Sequence, residues 1–179
     1  MFNNFDPTFK NVDKNMAELF AIVRFMRGGF DELSAGMNKL APAAKQAQQS
    51  LIEVGAAYAI VTRGIPSAAQ ASTSTARLMD LFGRPEFING MKKAGEGITD
   101  NNGKLIAFSE IMKNIVALDP KLISGGPDLM NLIKEITRLG SDTGKGGFQG
   151  TIFMQRALAI LITKHKEHLQ VLKQAKADT

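Results

Sequence analysis

Apolar residues recur at three- and four-residue spacing along most of this chain, which is the period of helices that bury one stripe. Val12, Met16, Leu19, Phe20, Val23 and Met26 form the first stripe, with Asp13 as a cap and Gly28-Gly29 as a stop. A short second helix runs from Asp31 through Leu33, Met37 and Leu40, and Pro42 marks a break before the next. The third helix is predicted over residues 42–63, with Pro42 in its first turn and Gly64 at its C-terminal cap. Its stripe is Ala44, Ala47, Leu51, Val54, Tyr58 and Val61. Small side chains there admit another helix at close range, so Leu51, Val54, Tyr58 and Val61 are the candidate face for a partner or a second copy.

Ser67 caps a helix to Phe82, although the run Ser72-Thr73-Ser74-Thr75 is poor helix material. Pro85 opens a short helix through Phe87, Ile88 and Met91. Residues 98–106 differ: two short apolar ends flank Asn102-Gly103, a pair that tolerates the positive φ of a type I′ hairpin turn. Ser109 then caps a helix carrying Ile111, Met112, Ile115 and Leu118, and Asp119-Pro120 ends it. Pro127 starts another, with Leu129, Leu132, Ile133, Ile136 and Leu139 on one side. Gly140, Gly144, Gly146 and Gly147 make a flexible stretch, with Gly144, Gly146 and Gly147 as a candidate hinge. The last helix is predicted over residues 148–175 and would span roughly 40 Å. Its first half is broadly apolar; the part from residue 163 to 179 is polar and is expected to project. Residues 1–12, with Phe2, Phe5 and Phe9 around Pro7, read as an extended arm with aromatic anchors. The predicted fold is mainly α, a multi-helix assembly with one short β-hairpin near residues 98–106 and a long C-terminal helix.

Composition narrows the chemistry. The 179 residues include no Cys, which removes disulfides, thiol nucleophiles and thiolate zinc sites and fits folding in a reducing cytosol. A net charge of +5 is scattered along the chain and reads as a slightly basic solvated surface, with an acidic partner or DNA as the other reading. The first residues lack a basic and apolar leader pattern, and the run from Leu19 to Met26 is too short to cross a bilayer, which takes about 20 residues. Nine methionines, spread through the helices, read as adaptable core filling.

No motif for catalysis or cofactor binding survives inspection. The glycine stretch mimics a phosphate loop, but Gly140 and Gly144 are spaced one residue short and Gly146, not Ser or Thr, follows Lys145. The spacing of Gly144, Gly146 and Gly150 also fails the dinucleotide pattern. Counted from Asp100, a calcium loop would need Gly and Glu where Leu105 and Ile111 stand. His165 and His168 share a helix face without an accompanying carboxylate pattern, so a solvated face is the simpler reading than a weak metal site. No catalytic, cofactor-binding or metal-binding residue is therefore expected, and the chain is not expected to be an enzyme.

The order of features over residues 58–162 resembles the conserved core of bacteriophage tail tape-measure proteins. An Ala-rich helix ends Tyr58-Ala59-Ile60-Val61-Thr62-Arg63-Gly64-Ile65. The small-residue stretch Pro66-Ser67-Ala68-Ala69-Gln70-Ala71-Ser72-Thr73 leads into Ala76-Arg77-Leu78-Met79. Residues 87–94 follow, then Gly97-Ile98-Thr99-Asp100-Asn101-Asn102-Gly103-Lys104-Leu105, a helix, and a glycine loop before a second apolar helix. The segment 120–127 departs from the family's usual pattern. The chain also lacks the family's long ruler: wholly helical, it would reach only about 270 Å. It is thus a piece of a longer protein, the product of a very short tail, or a relative that kept the core alone.

The resemblance implies a structural protein of a phage or phage-derived tail, in the lumen or tip, supporting tail assembly and DNA ejection. It implies a homo-oligomer, trimer or hexamer, with the tail tube protein, tail tip or baseplate hub proteins and tail assembly chaperones as partners, passing contact with DNA and no small-molecule substrate. Location would be the virion tail, and the host cytoplasm during assembly. The competing expectations are a stand-alone helical protein-binding module or tail chaperone/adaptor, and a membrane- or wall-acting injection factor.

Overall fold

The computed structural model describes residues 12–118, 128–144, 148 and 150–178. The described residues form α1 (Val12–Val23), α2 (Phe30–Gln46), α3 (Leu51–Gly64), α4 (Ala68–Phe82), α5 (Pro85–Lys93), α6 (Phe108–Leu118), α7 (Asp128–Leu139), α8 (Ile152–Thr163) and α9 (His165–Ala177). The mainly helical expectation holds. Residues 1–11 of the expected extended arm and the segment 120–127 lie outside the described residues; Val12, the arm's last expected residue, instead opens α1.

Local signals account for most helix starts. Ser50, Ser67 and Thr151 each accept a hydrogen bond from the backbone N–H three residues on. The Ser/Thr run in α4 is helical, and its hydroxyls turn back onto the helix: Ser72 and Thr73 donate to the Ala69 carbonyl and Thr75 to that of Ala71. Pro42 does not break the chain as expected; it sits inside α2. Pro42 and Asn38 are both exposed, so the carbonyl that loses its N–H partner there faces water. α2 ends instead at Gln48, a non-glycine residue with φ 55°, where the N–H of Gln49 reaches back to the Ala44 carbonyl at 2.9 Å.

α3 is the axis of the molecule. α1, α2, α4, α6, α8 and α9 all pack against it, and every residue from Leu51 to Thr62 is buried. Helices can surround it because small residues make room. Gly36 of α2 faces the Tyr58 ring, Gly55 faces Ile22 of α1, and Gly64 faces Ile160 of α8. A second assembly, α5 with α7, sits to one side, joined through α4 and α8. There the backbones themselves touch: Gly90 lies against the Ile136 carbonyl and Gly140 against that of Glu86.

Two expected elements take another form. Among the described residues no strand forms at 98–106; one isolated antiparallel bridge joins Thr99 to Leu105. The turn is not type I′, since Gly103 has φ 78° while Asn102 is not at positive φ. Asp100 organises it, its side chain accepting from the N–H groups of Asn102 and Lys104. The long last helix is broken at Lys164 into α8 and α9. Its polar half does not project: His168, Val171, Leu172 and Ala175 are buried against the body. The spacing 168, 171, 172, 175 is an inward stripe that an imidazole and an alanine disguise.

Candidate functional site: a buried polar seam and an open cleft

A buried seam of polar groups lies where α6 meets the corner between α2 and α3. The N–H of Phe108 donates to Gln49 Oε1 at 2.7 Å, and Gln49 Nε2 donates to the Ile106 carbonyl at 2.9 Å. The Glu53 carboxylate accepts from the Ser109 N–H and the Ser109 hydroxyl, both at 3.0 Å. A helix N-terminus carries unsatisfied N–H groups and partial positive charge, so a carboxylate there is both hydrogen-bonded and electrostatically favoured. Ser109 therefore does not cap its own helix as expected; α6 is capped by side chains of another part of the chain. Lys176 Nζ, 3.7 Å from Glu53, closes the seam from α9.

Neighbouring buried groups are shifted by their surroundings. Burial raises the Glu18 carboxyl, with Lys14 and Lys176 opposing it. Burial also raises the Tyr58 hydroxyl, and the Glu32 charge adds to this; that hydroxyl donates to the Glu32 carbonyl at 3.3 Å. His168 is fully enclosed, its pKa lowered to about 4 by burial first and by His165 second. Its ring meets Phe108 edge-on at 6.1 Å, and neither nitrogen has a hydrogen-bond partner. A neutral imidazole there leaves one N–H unpaired, at a cost of about 1–3 kcal/mol. The solvated reading of the histidine pair is thus overturned for His168, and His165 is half-buried. No group of three or more metal-ligating side chains occurs among the described residues.

A concavity of about 730 Å³ is an open cleft between the C-terminal ends of α2 and α4 and the start of α5. Gln46, Asp80, Arg84 and Glu86 line it with Ala43, Ala47 and Met79. Burial raises the Asp80 carboxyl and Arg77 opposes it. On the far side of Arg84 a second hollow of about 390 Å³ runs to Thr137 and residues 140–143. The Arg84 guanidinium lies 3.9 Å from the Phe148 ring centre, a cation–π contact that fixes the ridge between the hollows.

The remaining expected site residues fall as follows. Leu51, Val54, Tyr58 and Val61 are at most 3% exposed, so they are core and cannot serve as a partner face in this conformation. The close approach that small side chains were expected to allow is made by helices of the same chain. Among the described residues the exposed large apolar side chains are Phe20, Leu139, Ile152 and Leu169, on four different helices. Asn102 and Gly103 form the exposed tip of the Asp100 turn. Gly144 is exposed with φ 65°, a conformation that favours glycine, while Gly146 and Gly147 lie outside the described residues. Sequence reasoning missed Gln49, Glu53, Ser109 and Lys176. The available signal was Glu53, the single carboxylate in an otherwise apolar run from Leu51 to Val61.

No protein family, curated protein or solved structure matches this chain. No helix among the described residues is long and apolar enough to cross a membrane.

Proposed function

We propose that this chain is a structural, non-catalytic part of a bacteriophage or phage-derived tail, equivalent to the core of a tape-measure protein, acting in the tail lumen or tip during assembly and DNA ejection. One observation supports this beyond the resemblance itself. The ordered features of residues 58–162 fall on successive elements of one packed body: the end of α3, α4, α5, the Asp100 turn, α6, α7 and α8. The likeness therefore follows units of packing and is not scattered across unrelated surfaces. On this reading the chain associates with copies of itself as a trimer or hexamer and meets tube, tip and chaperone proteins. Those contacts use surfaces other than the Leu51, Val54, Tyr58 and Val61 stripe of α3, which is buried.

The test is mass spectrometry of purified tails from the source virus or prophage, with crosslinking of this chain to the tube and tip proteins. Peptides of this chain in intact tails, crosslinked to the tube or tip, are the expected result. Tails that assemble and eject DNA with the gene for this chain deleted would refute the reading. The adaptor reading draws on the open cleft beside Arg84, lined by Asp80, Glu86 and Gln46 together with Ala43, Ala47 and Met79. It predicts crosslinks to an assembly intermediate and none in the finished tail.

A further inference from the structure

α9 lies across α3 and also touches α1, α6 and α8. Three of its inward positions, Val171, Leu172 and Ala175, are apolar. The fourth is His168, enclosed completely and without a hydrogen-bond partner at either nitrogen. We infer that α9 is an acid-releasable cover: protonation of His168 lifts α9 off α3 while the remaining helices stay packed. This goes beyond the tail reading and does not depend on it.

A protonated imidazole has two N–H donors and a full charge, and this enclosure provides an acceptor for neither. The charged groups around it do not help. α9 itself brings His165, and α6 brings Lys113, whose charge also bears on His165. The carboxylates of α9 and its neighbours α1 and α3 are engaged elsewhere: Glu167 with Arg63 at 2.9 Å, Glu53 with Lys176 at 3.7 Å, Asp178 with Arg24, and Glu18 with Lys14 at 4.0 Å. Glu110 of α6 and Arg156 of α8 are exposed. The imidazolium thus has to reach water, and α9 is the element free to carry it there. One residue, Lys164, separates it from α8. Two of its ion pairs, Glu167 with Arg63 and, just past the ends of α9 and α1, Asp178 with Arg24, join partly exposed side chains and are weak; the Lys176 pair with buried Glu53 is the tie that opening has to break.

The sign follows from linkage. A histidine whose pKa is lowered in the closed state stabilises that state fully above its ordinary value near 6.5, and loses the advantage as pH falls toward about 4. With those two values, the closed-to-open equilibrium shifts about 30-fold toward open between neutral pH and about pH 5. Uncovering α3 bares a helix that is apolar on nearly every side.

Amide hydrogen exchange of the full chain near pH 7.5 and near pH 5, expressed as protection factors, tests this. Protection in α9 and in the α3 residues beneath it is expected to fall about 30-fold at the lower pH, with α4, α5 and α7 changed little. His168→Leu and His168→Gln should each abolish the fall, and His165→Gln should leave most of it. An equal loss in every helix, or the same fall in both His168 variants, would overturn the inference. Should neither variant fold, the imidazole resonance of the wild-type chain decides. A His168 ring that titrates near its ordinary value with α9 still protected refutes the cover; one that stays neutral until α9 opens supports it.

Discussion

Helices approach one another closely both around α3 and between α5 and α7, and glycine makes the room in each place, but for different neighbours. In the α3 hub the space is filled by a side chain: Tyr58 beside Gly36, Ile22 beside Gly55, Ile160 beside Gly64. In the outer pair it is filled by main chain, the carbonyl of Ile136 beside Gly90 and that of Glu86 beside Gly140. A side chain can change rotamer or be trimmed; a helix carbonyl cannot move without the helix. The hub is therefore a set of repairable contacts. The outer pair has a fixed interaxial distance.

That difference orders the experiments. Gly90→Ala should cost about 3 kcal/mol, near the top of the range for overpacking, because its Cβ would collide with the Ile136 carbonyl. By urea denaturation Gly90→Ala should cost the same in an Ile136→Val background as in the wild-type one, since trimming a side chain does not move a carbonyl. The hub responds to acid where the outer pair does not. Lowering the pH from about 7.5 to about 4.5 should remove roughly 2–3 kcal/mol that His168→Leu does not lose, the difference between the two proteins isolating the imidazole from the carboxylates.

A smaller effect bears directly on repair. A Cβ on Gly55 would lie 2.6 Å from Ile22 Cδ1. Gly55→Ala alone should cost about 2 kcal/mol, and in an Ile22→Val background, which lacks that methyl, about 1 kcal/mol less. Strict additivity in this cycle would erase the distinction between hub and outer pair. Least of all, Tyr58→Phe should cost about 0.5–1 kcal/mol, since the 3.3 Å hydrogen bond to the Glu32 carbonyl is long and the ring stays in place.

Much of this fold could be read directly, and the failures share a cause. Ser67 and Pro85 signal their helix starts through local chemistry, so α4 and α5 begin where expected and α4 ends at Phe82 as expected. Pro42 misled because its penalty depends on whether the orphaned carbonyl meets water, which is a tertiary fact. Leu51, Val54, Tyr58 and Val61 were recognised as one stripe, but periodicity does not report that six helices from the same chain would close around it. α9 reads as projecting only while His168 counts as polar; in the spacing its place is inward, with Val171, Leu172 and Ala175. The seam was hardest to foresee. Gln49 and Glu53 serve a helix whose start lies 59 and 56 residues further on, beyond any local signal.

That distance has a bearing on how the chain is made. A ribosome releases Gln49 and Glu53 well before Phe108 and Ser109, so the acceptors are in place before the helix that needs them emerges. α6 then has a waiting template for its first turn, the step that costs a helix most to form. Its formation is tied to the corner between α2 and α3 having folded first.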